Sequence, residues 1–113
     1  MHTEIEDDKI LLGKILNIDV SLVDFDPIKI KFDMDAVEGL NDLELKEHGY
    51  DYMPDNSAWL DWNERIGEWK YICLHEVIEH WLMDTFKLKY DSAHDIANYF
   101  EKEHRIKYSR KKY

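Results

Sequence analysis

One cysteine, Cys73, stands in a chain of 113 residues. A single thiol excludes a disulfide framework and a cysteine-based metal site, and its place inside an apolar helical run assigns it to the core as a small side chain. No stretch approaches the roughly 18 to 20 uninterrupted apolar residues of a membrane span. The opening residues Met1-His2-Thr3-Glu4-Ile5-Glu6-Asp7-Asp8 are acidic where a secretory leader is basic and then apolar. Both observations lead to the expectation of a cytoplasmic protein with no membrane partner. Internal repeats and low-complexity linkers are also missing. With 44% hydrophobic and 13% aromatic residues, the chain can bury one core but hardly two, so residues 1–113 are read as a single domain.

The formal net charge of −10 is unevenly spread. Residues 1–101 hold 24 acidic against 9 basic side chains, whereas Lys102 to Tyr113 hold 6 basic against 1 acidic. An acidic body therefore carries a basic tail, residues 107–113. The tail reads as a solvated helix end whose cations suit the negative end of the helix dipole. The acidic body argues against nucleic acid as a partner.

Asp8 to Val23 is ambiguous between a helix to about Leu16 and strands after it. Ile28 to Met34, with apolar residues at every second position after Pro27, reads as a half-buried strand. Gly39 to Asn56 is polar and acidic, interrupted by Gly49 and Pro54, and reads as a long loop containing a short helix. Ala58 to Trp62 follows a turn and reads as a short strand. From Asn63 or Glu64 to about Phe86 no proline occurs, and Ile66, Trp69, Ile72, Cys73, Val77, Ile78, Trp81 and Leu82 recur at helical spacing. A short connection follows, with Asp91 or Ser92 as N-cap of a last helix to about Lys107. Helices joined so closely pack roughly antiparallel. The fold class expected is α+β, a short mixed sheet packed on a long helix followed by a second, antiparallel helix.

Leu74-His75-Glu76-Val77-Ile78-Glu79-His80-Trp81-Leu82 puts four ionisable residues into an apolar helix, which is costly unless something uses them. His75 and Glu79, four residues apart, stack on one face as two ligands of one ion require, and Glu76 projects beside them. A zinc ion that does chemistry takes three protein ligands and keeps an open position. His94, one turn into the following helix, is the candidate third ligand, with small Ala93 and Ala97 letting the helices approach. Asn98 and Glu101 lie on the face of His94. They are placed to hold its other nitrogen from a second shell, or, for Glu101, to complete the metal sphere. His80 sits about 140° round the helix from His75 and shares a face with Glu76 instead, where a hydrogen bond is expected. His2 and His48 sit in a terminus and a loop with no evident partner in the sequence, and His104 is expected to be exposed near the end of the last helix.

His75-Glu76-x-x-Glu79 resembles the His-Glu-x-x-His signature of zincin metallopeptidases, with Glu79 where the second histidine stands. A wider pattern is similar to small uncharacterised bacterial and phage proteins: Trp59 and Asp61 on a strand, His75, Glu76 and Glu79 on a helix, then Tyr90, Ala93, His94, Ala97 and Glu101. The resemblance covers Trp59 to about Arg105 and implies a zincin-like fold, a Zn2+ or other divalent ion on His75, Glu79 and His94, and hydrolysis of a peptide or amide bond. It makes Glu76 the general base that activates a metal-bound water. It also implies that substrate lies along an edge strand beside the active-site helix, for which the segment with Trp59 and Asp61 is the candidate. Two alternatives stand beside it. One is a module in which His75, Glu79, His94 and Glu101 close a structural site without catalysis. The other is an acidic accessory protein that binds a protein partner. The short chain leaves little room for a walled cleft, so a homodimer or a partner protein is expected to complete it.

Overall fold

The computed structural model describes residues 10–27 and 38–111, with side chains to residue 107; the strand expected over Ile28 to Met34 lies outside the described residues. The elements are β1 (Ile10–Ile15), β2 (Ile18–Val23), β3 (Gly39–Asn41), α1 (Asp42–Glu47), β4 (Ser57–Asp61), α2 (Ile66–Thr85) and α3 (Tyr90–Lys111). They form the α+β arrangement expected, a mixed four-stranded sheet against a helix pair, with strand order β1-β2-β4-β3.

No helix precedes Leu16 in the described residues. Leu16 and Asn17 take φ 49° and 65°, and two successive residues in the left-handed region make the tight turn whose twist suits a hairpin. Ile15 therefore pairs with Ile18, and β1 runs antiparallel to β2. A helix to Leu16 would need right-handed torsions through the same residues. β2 pairs with β4 in parallel, Val20 opposite Ala58, and β3 pairs with β4 antiparallel, Leu40 opposite Trp59. The short helix expected after Gly39 is α1, but Gly39–Asn41 is a strand rather than loop.

Side chains alternate across the sheet, so each strand feeds two layers. Ile18, Val20, Leu22, Ala58 and Leu60 face α2 and bury Ile72 and Val77 against it. Val23, Leu40 and Trp59 face the opposite side, where Phe25, Leu45 and Met53 complete a second cluster. The same alternation turns Gly39 and Asn41 towards α2 while Leu40 points away. α3 returns antiparallel to α2: Glu68 pairs with Arg105, Tyr71 stacks on His104, and Met83 packs on Ala93. Lys87, at φ 58°, ends α2 and redirects the chain. α3 begins at Tyr90, two residues earlier than a cap at Asp91 or Ser92 allows, because Glu47 accepts the Tyr90 N–H at 2.8 Å. No helix of the described residues is long and apolar enough to cross a membrane.

Gly39 sets how closely β3 approaches α2. A Cβ there would stand 2.7 Å from Ile72 Cγ2 and 2.9 Å from Glu76 Cγ, distances that force the strand and helix apart. Gly39→Ala should therefore destabilise the fold by about 1–3 kcal/mol, read from the midpoint of urea unfolding. An unchanged midpoint would show that the contact is not held in solution.

Candidate metal centre

Placing His75 and Glu79 on successive turns of α2 aims both at the α3 side, and Ala93 and Ala97, both fully buried, bring α3 close enough for His94 to meet them. His75 Nε2 lies 2.9 Å from Glu79 Oε2 and 3.1 Å from His94 Nδ1, and His94 Nδ1 lies 2.9 Å from the same Glu79 oxygen. Three ligand-type atoms thus form a nearly equilateral triangle. The Tyr90 hydroxyl reaches His94 Nδ1 at 3.2 Å. His75 and Glu79 are buried and His94 is partly exposed, so the triangle sits at the floor of an opening rather than in a sealed core.

Protons satisfy two edges of this arrangement, those at Glu79, but not the third. Glu79 Oε2 can accept from both rings, but each imidazole nitrogen carries at most one N–H. If both donate to Glu79, the two N–H groups face each other across the third edge. If His94 Nδ1 instead accepts from Tyr90, it confronts the Glu79 carboxylate lone pair to lone pair. A cation at the centre of the triangle satisfies all three atoms together. Tetrahedral zinc with N and O ligands at about 2.0–2.2 Å sets ligand atoms roughly 3.3–3.5 Å apart, so the edges need open by only a few tenths of an ångström. Two imidazoles and one carboxylate are also a donor set that zinc favours.

Glu101 does not extend this sphere. Its Oε1 lies 3.3 Å from His75 Nδ1, on the far side of the ring from the triangle and without hydrogen-bond geometry, so its charge faces His75 rather than His94. The chain continues outward: Arg105 Nε donates to Glu101 Oε2 at 3.1 Å, and its two terminal nitrogens donate to Glu68 at 2.8 and 3.0 Å. The guanidinium also lies over the Tyr71 ring, 4.1 Å from its centre. A carboxylate on the second nitrogen of a ligating histidine fixes its tautomer and raises its basicity. Asn98 is exposed and lines the opening.

Glu76 flanks the triangle, its Oε2 4.0 Å from His75 Nε2. Asn41 Nδ2 donates to Glu76 Oε1 at 3.1 Å and to Glu79 Oε1 at 2.9 Å, while Asn41 Oδ1 accepts the Glu44 N–H at 2.9 Å. Asn41 and Glu44 are site residues that the sequence reading leaves unassigned. Their signal was present in Asn41-x-x-Glu44, an N-cap spacing, but the sequence does not show that the cap side chain also faces α2. Burial, then the charges of Glu44 and Glu79, push the Glu76 carboxyl well above its ordinary range. Burial and the neighbouring Glu79 likewise push Glu44 up to about 8. Burial also works against the charge on Glu79, yet the hydrogen bonds from His75 and His94 outweigh it and hold that carboxyl below the usual value.

Two assignments are corrected. Trp59 and Asp61 belong to β4, which is paired on one side by β2 and on the other by β3. Trp59 is buried in the cluster on the sheet face away from α2, and Asp61 accepts the Asn63 N–H at 3.0 Å. An interior strand has no free ladder for a substrate; β3 is the strand beside the site that has one neighbour among the described strands. His80 bonds not to Glu76 but to Asp42, Nε2 to Oδ1 at 2.9 Å, because α1 packs over that face of α2. His48 also has partners, the Glu44 carbonyl at 2.8 Å and the Tyr90 ring.

The raised Glu44 carboxyl fixes the sign of a pH effect in metal-free protein. Between about pH 4.5 and 8 the folded chain holds a proton that the unfolded chain has released, so stability falls as pH rises, by up to about 1.4 kcal/mol per unit. Glu79 acts oppositely, its contribution being lost only as pH drops below about 4.5. Urea midpoints of metal-free protein should decline from pH 5 to pH 8, and Glu44→Gln should make the decline shallower, the remainder coming from the raised Glu76. A profile equally steep in the variant would remove Glu44 as its source. No protein-family model matches the chain, and no curated protein or solved structure matches it either, so function rests on the site itself.

Proposed function

We propose that this chain binds one divalent metal ion, zinc by its donor set, on His75, Glu79 and His94, and uses it to hydrolyse a peptide or amide bond. The observation that carries the reading is the triangle of His75 Nε2, Glu79 Oε2 and His94 Nδ1, with edges of 2.9, 3.1 and 2.9 Å, in which two ring nitrogens that both donate to Glu79 stand against each other. A zinc ion held there supplies a Lewis acid for the scissile carbonyl and lowers the pKa of its water towards about 7. The protein supplies the remainder. Glu101, braced by Arg105, sets a negative charge behind the His75 ring. Glu76, whose carboxyl burial holds well above its ordinary range, would be returned to its charged form by a cation beside it and could then accept the attacking water's proton and return it to the leaving nitrogen. Asn41 holds that carboxylate in place through Oε1, leaving Oε2 facing the centre.

The site opens into a cavity of about 300 Å³ lined by Glu38, Gly39, Glu44, Ile72, Tyr90 and Asn98 beside the centre itself. That is the small end of ligand pockets and suits one side chain or a short stretch of backbone. Glu38 and Gly39 put β3 on its wall, which makes β3, not β4, the shelf along which an extended substrate would lie. A closed structural site is the competing reading, and the position of Glu101 behind the His75 ring argues against it.

Dialysed protein should retain metal in elemental analysis, and His94→Ala should lose the ion at this position. Glu76→Gln should keep that ion but lose roughly 100- to 10,000-fold in activity on a responsive peptide or amide. Full activity in Glu76→Gln would exclude Glu76 as the base, and absence of any metal from the parent would overturn the reading as a whole.

A further inference from the structure

We propose that a second divalent cation binds beside the first, between Glu44, Glu76 and Glu79, with Glu79 bridging the two positions. The inference rests on the first position being a metal site and extends it to a two-metal centre.

Glu44, Glu76 and Glu79 each offer one carboxylate oxygen within 4.8 Å of the others, and all three are at most 9% exposed. The oxygens of Glu79 are divided: Oε2 faces the two histidines and Oε1 turns to Asn41, on the Glu44 side. Glu44 Oε2 is sealed from solvent and has no hydrogen-bond partner among the described residues, although the carboxyl as a whole is engaged with Tyr90 and Glu79. A buried carboxylate oxygen without a donor is costly, and here it belongs to a side chain directed at two further carboxylates. Asn41 does not fill the space, because each oxygen it binds retains a second lone pair.

The charge count points the same way. Among the described residues no lysine or arginine lines the cavity, whereas Glu38, Glu44, Glu76 and Glu101 do, and Arg105 is committed to Glu101 and Glu68. One dication against Glu44, Glu76 and Glu79 leaves a negative charge before Glu38 is considered. The donor set of the second position is all oxygen, which favours Mn2+ or Mg2+ over the softer preference of the histidine position. Glu76 keeps Oε2 on the side of the first position when its other oxygen serves the second. Paired dications bridged by a carboxylate clamp the attacking and leaving atoms of a displacement.

Metal-free protein titrated with Mn2+ and dialysed should retain two equivalents, with an electron paramagnetic resonance spectrum of exchange-coupled ions. Glu44→Gln, nearly isosteric, should retain one equivalent and show isolated ions. Two equivalents in the variant would place the extra ion elsewhere and overturn the proposal. One equivalent in the parent, lost in His94→Ala, would overturn it while leaving the first position standing. None in the parent would overturn both. Should Glu44→Gln misfold, the parent still tests the proposal, because fewer than two retained equivalents, or two without exchange coupling, would overturn it.

Discussion

Asn41 joins the sheet to the helix pair. Its backbone belongs to β3, its Oδ1 caps α1 through the Glu44 N–H, and its Nδ2 donates to both Glu76 and Glu79 on α2. One fully buried amide therefore fixes three elements and two carboxylates. An amide caps and donates in one geometry only, so the cap bond also settles which end of the side chain faces α2. Gly39, two residues earlier on the same face, removes the side chain that would otherwise hold α2 away. The depth of Glu76 and Glu79 in the fold follows from this short strand.

The cost of that depth is electrostatic. Glu44, Glu76 and Glu79 are buried together, and their mutual repulsion and desolvation drive Glu44 and Glu76 towards the protonated form. Glu79 escapes because two imidazoles face its Oε2. Away from the centre, ionisable groups are paired in conventional ways: Asp42 with His80, and Glu68 with Arg105. Acidic groups crowd at the centre, and that contrast is what the proposed cation would relieve.

Much of the frame was legible because periodicity is a local property. The long α2 and the return of α3 follow from apolar spacing and a short connection, and β4 from its run after the turn at Asn56. The first hairpin was less legible. Ile10 to Leu16 is apolar without a clear period, and the turn at Leu16 and Asn17 lacks the glycine that would signal it. β3 was hidden because three residues of strand inside a polar segment carry almost no pattern, although their pairing with β4 places Asn41 at the site.

Sequence by itself determined that His75 and Glu79 share a face, since four residues make about one helical turn, and it named His94 as the histidine on the next helix that could join them. Convergence of their ligand atoms on one point was decided only by tertiary packing, through the fully buried Ala93 and Ala97 that let α3 settle against α2. Packing also decided that Glu101 lies against His75 rather than His94 and that His80 belongs to Asp42. The physical reason is common to both. Which partner a polar side chain meets across elements depends on strand order and helix approach, and those are set by contacts distant in sequence.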